Sequence, residues 1–243
     1  MPRTEGIRVG DRDGIAVVRL ERGKVNALDL DLLHGIAEVF AGLDRGDARA
    51  VVLTGAGRAF SAGVDLWRIL DGGAAYVREF LPALDAAFLA VFTLGKPAVA
   101  AVNGHALAGG AILAAACDQR VMAAGTIGVT ELLVGVPFPP SALEILGHAL
   151  GGRAARRAVL TGAALTPEEA LAAGHIDEIG SLDAALARAA TLAEIPPDTY
   201  RLTKAQLRSS VRGAPDPRVT EIWIRAVEDG RIERHMSRAV RRT

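Results

Sequence analysis

"NGHALAGGAILAAACD", residues 103–118, is the stretch from which the fold is read. Three glycines lead into a run from Ala111 to Cys117 that carries no charge and no hydroxyl. Gly109 and Gly110 stand where a helix would begin, without the Ser, Thr, Asp or Asn that ordinarily caps one. Upstream, "PAVAAVNG" (97–104) has the apolar centre of a strand covered on both faces. Strand, bare turn and oily helix is thus the expected local order.

Working outward, the same build occurs earlier. "VVLTGAGRAFSAGVDL" (51–66) runs as strand, loop, then small residues around Gly63. In both stretches the chain could leave a buried strand and present backbone N–H groups with no side chain over them, glycine permitting the close approach. A helix start at Gly109 adds unpaired donors and the positive end of the helix dipole. Two N–H groups converging on one point would make an oxyanion hole. The pattern weighs evenly between that arrangement and two tight turns that simply need small residues.

Further strands are expected at "GIAVVRL" (14–20), "RAVVLTG" (49–55) and "QRVMAA" (119–124). "LDLDLLHGIAEVFAGLDR" (28–45) places Leu32, Leu33, Ile36, Val39, Phe40 and Leu43 on one helical face after Asp29 as a cap. A helix is expected over about 74–94. Another, "PPSALEILGHALG" (139–151), starts at Pro and ends at Gly. Strand–helix alternation argues an α/β core. From about Pro196 the pattern is helical only, over 200–211 and 216–242. Val219, Ile222, Trp223, Ile224 and Val227 form a stripe there that needs cover, from its own core or from another subunit.

Composition narrows the function classes. The 243 residues are 50% hydrophobic and 23% charged, with 28 basic and 28 acidic side chains. There is no net charge of the kind that draws nucleic acid. A single cysteine, Cys117, forms no internal disulfide and no metal pattern, which favours a reducing compartment. The first ten residues lack an apolar signal core, and the uncharged run 97–117 is interrupted by Pro97, Asn103, His105 and glycines, so no membrane span is expected.

Most familiar site patterns fail. A Walker loop would need Lys and Ser/Thr where Gly110 and Ala111 stand, and "GAGRAF" (55–60) lacks the third glycine of a dinucleotide fingerprint. Ser61 has Ala59 where a nucleophile elbow needs Gly, so it reads as a turn residue. His34, His105, His148, His175 and His235 show no ligand spacing, and no metal site is expected.

"FSAGVDL", "NGHALAGG…CD" and "GVTELLVGVPF", in this order and spacing, resemble the crotonase superfamily, the enoyl-CoA hydratase/isomerase group. "KVNALDLDLL" (24–33) is similar to its early segment and "GRAARRAVLTGAALTPEEALAAGHIDEI" (152–179) to its late one. The resemblance spans about residues 6–205. It implies a spiral of ββα units as a core over 1–195, with a helical region over 196–243 that builds a homotrimer, often paired into a hexamer. It implies an acyl-coenzyme A thioester as substrate and no separate cofactor. The thioester oxygen would be held by the N–H groups of Val64 and Gly109. Coenzyme A contacts would fall near Lys24, Val25, Ala27, Ala62, Asp65 and Leu66. A cytoplasmic enzyme of fatty-acid metabolism is expected.

The departures from that pattern are as informative. Hydratase-like members carry two glutamates that together activate water. The first would stand at Ile112, which can hold neither a proton nor a water. The second matches Glu131, the single charge in the run 127–140. Burial there should raise its pKa. "VGVPFPP" (134–140) replaces a glycine-rich loop, and Trp67 stands where Lys is frequent, leaving Arg68 or Lys24 to meet the coenzyme. One carboxylate and a dry pocket point to a Δ3,Δ2-enoyl-CoA isomerase. An atypical hydratase and a non-catalytic acyl-CoA-binding protein are the alternatives.

Overall fold

The structure, a computed structural model, describes residues 5–211, 213 and 215–240. Residues 1–4 of the expected core and 241–242 of the last expected helix lie outside the described residues.

The chain repeats a strand–strand–helix unit. β1 (Ile7–Arg12), β2 (Ile15–Leu20) and α1 (Leu30–Arg45) form the first. β3 (Ala50–Gly55), β4 (Ala59–Ser61) and α2 (Leu66–Phe92) form the second. β5 (Ala98–Val102), β6 (His105–Leu107) and α3 (Gly109–Ala116) form the third, and β7 (Gln119–Met122), β8 (Ile127–Gly128) and α4 (Glu131–Val134) the fourth. α5 (Pro140–Thr161), α6 (Pro167–Ala172), β9 (Glu178–Ile179) and α7 (Leu182–Leu192) follow. α8 (Pro197–Leu207), α9 (Pro217–Glu228) and α10 (Arg231–Val240) make the helical end.

Both strands of the first unit enter one large sheet; in each of the next three units the first strand joins that sheet and the second strand another. The large sheet has the order β1-β2-β3-β5-β7-β9, parallel except for the β1–β2 hairpin. Its strands bury alternate residues on two faces, as the period of two requires. Val51, Leu53, Ala98, Ala100 and Val102 face the main core. Ala50, Val52, Val99, Ala101 and Val121 face a second cluster roofed by α7. The small sheet has the order β4-β6-β8, all parallel. This is the mixed α/β spiral of ββα units that the resemblance implies.

The expected strands at 14–20, 49–55, 97–104 and 119–124 become β2, β3, β5 and β7 within one or two residues. β1 is missing from the sequence reading because it is a polar edge strand. Its signal was the turn: Asp13 and Gly14 both have positive φ, 55° and 81°, the two-residue type I′ geometry. β4, β6 and β8 were missed because strands of two or three residues carry no period.

α1 starts where expected, with the Asp29 side chain accepting from Leu32 N–H at 2.9 Å. α2 begins earlier than 74, at Leu66, because Gly73 (φ 58°, ψ −149°) breaks one helical run into two. α5 likewise breaks at Gly151, the expected stop, then resumes to Thr161. The apolar stripe of α9 is covered largely by the chain's own core. Trp223 and Ala226 are buried in the main cluster, and Val219, Ile224 and Val227 pack against it.

α8 is anchored by charge rather than by oil. Asp118, just past α3, accepts from Lys204 Nζ and Arg208, both at 2.7 Å, and from the Ala98 N–H at 2.7 Å. The Arg208 guanidinium also lies 4.1 Å from the centre of the Phe92 ring. Among the described residues no helix is long and apolar enough to cross a membrane, and no group of three or more His, Cys, Asp or Glu could hold a metal.

Candidate active site

The small sheet does the positioning. Each of its three parallel strands ends just before one candidate residue: β4 before Val64, β6 before Gly109, β8 before Glu131. Neighbouring strands lie roughly 4.8 Å apart, so the order β4-β6-β8 sets Gly109 between the other two. Ligands of parallel sheets bind beyond the carboxyl ends of the strands.

At the first position, Leu28 and Val64 form a parallel bridge. Leu28 N–H donates to Gly63 O at 2.8 Å and Asp65 N–H donates to Leu28 O at 2.9 Å. Such a bridge consumes the groups on either side of Val64 and leaves the Val64 N–H pointing away from Leu28. Gly63 makes the turn possible, with φ 88° and an imagined Cβ only 2.7 Å from Leu107 O and 3.4 Å from Gly109 N. The β4 and β6 exits therefore touch at the residue before Val64.

At the second position, α3 begins with no side-chain cap and all eight of its residues are buried. Ala108 turns the chain into it with φ 48° and ψ −123°, and its own N–H donates to Gly128 O at 2.8 Å. Among the described residues neither Val64 N–H nor Gly109 N–H has an intramolecular acceptor. The bare helix start leaves its first donor free. Leu28, Leu84 and Phe88 pack around Gly109 and keep the surroundings apolar.

At the third position, Glu131 opens α4 and is only 7% exposed. Its Oε2 is buried with no hydrogen-bond partner. Burial pushes the carboxyl up to about 8, because a charge removed from water without a partner is costly. Val134, Val136 and Phe138 are buried beside it in sequence. Ile112, where a second acid would stand, is fully buried in the main core. The arrangement offers two backbone donors for an oxyanion and one carboxyl that changes charge near neutral pH.

The proposed coenzyme contacts also come together. Segment 24–28 runs beside 62–65, with Ala62 N–H donating to Val25 O at 2.9 Å. Lys24 and Val25 are exposed, while Ala27, Ala62, Asp65 and Leu66 are half-buried. The Asp65 side chain is engaged as the cap of α2, accepting from Trp67 N–H and Arg68 N–H at 3.1 and 3.2 Å. Arg68 lies 3.3 Å from Asp29 and 3.8 Å from Asp65, so it is held at this edge, and Trp67 stands 63% exposed beside it.

Ser61 is not a turn residue but the last residue of β4. It is fully buried, donating to Asn26 O at 2.8 Å and accepting from Gly63 N–H at 3.2 Å. The sequence reading missed Asn26 as a site residue. With φ 52° and no exposure, its amide donates to Ala59 O at 2.9 Å and Phe60 O at 3.2 Å, and its Oδ1 accepts from Arg22 N–H at 3.0 Å. It locks the 24–28 segment onto β4. A lone Asn just before the apolar pair Ala27–Leu28 was the available signal.

Comparison with known proteins places the chain in a family. The family model described as enoyl-CoA hydratase/isomerase matches residues 10–238. The mitochondrial enoyl-CoA delta isomerase 1 of Rattus norvegicus is 32% identical over 206 residues, covering 81% of this chain and 71% of that protein. A putative enoyl-CoA hydratase of Thermus thermophilus is 42% identical over 187 residues, covering 73% and 72%. The crystal structure of human mitochondrial delta3-delta2-enoyl-CoA isomerase superimposes with a TM-score of 0.85 at 26% identity, covering 98% of this chain and 97% of that one. A spiral of ββα units with an acid beyond its small parallel sheet defines a crotonase-type enzyme, and this chain belongs to the enoyl-CoA hydratase/isomerase family.

Proposed function

We propose that the protein is a Δ3,Δ2-enoyl-CoA isomerase acting on unsaturated acyl-CoA thioesters. The thioester oxygen sits between the N–H groups of Val64 and Gly109. Glu131, as the carboxylate, takes a proton from C2; the C–H electron pair forms a C1=C2 bond and the carbonyl pair moves onto that oxygen, giving a dienolate conjugated with the 3,4 double bond. The same carboxyl then returns the proton at C4, so the double bond moves and no water is consumed. Backbone donors near a helix start suit a developing oxyanion.

The observation that carries this reading is the isolation of Glu131. It is buried, its Oε2 has no partner, and the helix position one turn after Gly109 is Ile112. A single base that lends and returns a proton suits that pocket, and a two-acid water site does not. Segment 24–28 with 62–66 would take the coenzyme, and the chain would assemble as a trimer or hexamer.

Purified protein supplied with a 3-enoyl-CoA and, separately, with a 2-enoyl-CoA tests the reading. Conversion of the first is expected, with Glu131→Gln lower by roughly 10²–10⁴-fold in kcat. Efficient hydration of the 2-enoyl-CoA that survives Glu131→Gln would overturn it in favour of a hydratase. Tight acyl-CoA binding with turnover of neither would favour a binding protein.

A further inference from the structure

Glu131 sits on α4, which has four residues and would not hold together alone. Something must fix it. The loop that follows, 135–139, is anchored from the far end of the sequence. Trp223 Nε1 on α9 donates to Pro137 O at 2.9 Å. Arg231 at the start of α10 donates through one guanidinium nitrogen to Gly135 O at 3.2 Å.

Both anchors are themselves held. Trp223 is 2% exposed, within the main core. Arg231 is gripped by Asp229, whose carboxylate accepts from the guanidinium Nε at 3.0 and 2.9 Å and also pairs with a terminal nitrogen. That grip leaves the other terminal nitrogen to reach Gly135. Next to it Ile232 is fully buried, seating the start of α10.

The sequence of the loop fits the contact. Gly135 ends α4 in the left-handed region (φ 92°, ψ 24°), and its N–H donates to Glu131 O at 3.1 Å. A Cβ there would lie 2.8 Å from Arg231 Cδ and 3.3 Å from Arg231 Cγ. The Arg231 stem therefore lies flat on the bare backbone of Gly135, one hydrogen bond away from the Glu131 carbonyl.

We propose that Trp223 and Arg231 are positioning residues for the proton transfer, holding α4 and its loop so that the Glu131 carboxyl stands over the reacting carbons. The C-terminal helices thus complete the chemistry of their own chain. This rests on Glu131 being the base, as argued above. It predicts that breaking either anchor damages the chemical step and spares binding. A misplacement of about 1 Å can cost on the order of 100-fold.

The test compares Trp223→Phe, Arg231→Met and Arg231→Lys with the native protein, Glu131→Gln and Arg218→Met. Arg218 makes a similar pair with Asp216 on exposed α9 surface and serves as control. The readouts are kcat and KM with a 3-enoyl-CoA, and Kd for hexanoyl-CoA, which cannot isomerise. Expected are kcat values roughly 10-fold or more lower in Trp223→Phe and Arg231→Met, with KM and Kd within about threefold. Arg231→Lys, which keeps a donor, should recover most of the rate, and Arg218→Met should match the native protein. Native kcat in folded Arg231→Met, or loss of kcat and hexanoyl-CoA binding in the same proportion, overturns the positioning role even if Trp223→Phe fails to fold. An active Glu131→Gln would instead remove the underlying reading of Glu131.

Discussion

Glu131 ionises against its surroundings, and two measurable consequences follow. In the proposed mechanism the working form is the carboxylate, so kcat/KM for a 3-enoyl-CoA should rise with pH and level off above about 8. A profile already flat from pH 6 would mean that another group takes the proton. The second consequence concerns stability. Below 4.5 the carboxyl is neutral in both folded and unfolded chains; between 4.5 and about 8 only the unfolded chain ionises. Stability is therefore lost as pH rises through that window and becomes constant above it. Glu131→Gln has no such titration. Its unfolding free energy relative to the native protein should climb by roughly 3 kcal/mol between pH 5 and 8 in urea melts, at about 1.36 kcal/mol per pKa unit. A constant difference would show that the carboxyl is not desolvated.

At the scale of the element, the turn into α3 is the place of strain. Ala108 holds φ 48° and ψ −123°, a conformation that L residues rarely adopt and that costs on the order of 1–3 kcal/mol. It is kept there by the Gly128 carbonyl and by helix bonds from Ala111 N–H and Ile112 N–H to its own oxygen. Ala108→Gly relieves the strain and adds unfolded-chain entropy, so a net gain of about 1 kcal/mol is expected in urea denaturation. A loss of stability would mean that the methyl packs usefully. The strain has a purpose in the proposed mechanism, since the turn frees the Gly109 donor at the mouth of a buried helix.

Across the whole molecule, the anchor of α8 is an unbalanced one. Lys204 and Arg208 share the single carboxylate of Asp118, and burial pushes Lys204 down to about 8. Asp118→Asn leaves two buried cations facing each other and should cost about 3–5 kcal/mol. Lys204→Met leaves a balanced Asp118–Arg208 pair and should cost much less. Urea melts of both variants check the order, and equal losses would show that the triad acts only through packing. On the outside, Leu160, Leu202 and Leu207 are each more than 60% exposed. The proposed trimer is expected to cover apolar surface of this kind, and sedimentation should give at least three times the 25.3 kDa chain mass. A monomer at micromolar concentration would refute the trimer.

How much of this could be read beforehand differs by element and by residue. The strands β2, β3, β5 and β7 and helix α1 were legible because burial on both faces, or on one helical face, leaves a period in the sequence. The bare start at Gly109 was legible as a motif, while Val64 as its partner and Glu131 as the acid were expected from the family resemblance. The breaks at Gly73 and Gly151 were half legible, since a glycine marks a stop without saying whether the helix resumes. Ser61 was misread because a strand of three residues looks like a turn.

By itself the sequence determined the alternation of elements and the bare, uncapped start at Gly109, because each is a local consequence of which side chains are present; the missing second acid at Ile112 was read from the family resemblance. Only the tertiary structure decided that β4, β6 and β8 lie side by side, so that three distant segments deliver Val64, Gly109 and Glu131 to one edge. Only it decided that Asn26, Trp223 and Arg231 hold that edge in place. Their partners lie from about 30 to about 96 positions away along the chain. Hydrogen bonds to backbone carbonyls depend on where the chain passes and not on which side chains the accepting residues carry, so they leave almost no trace in the sequence.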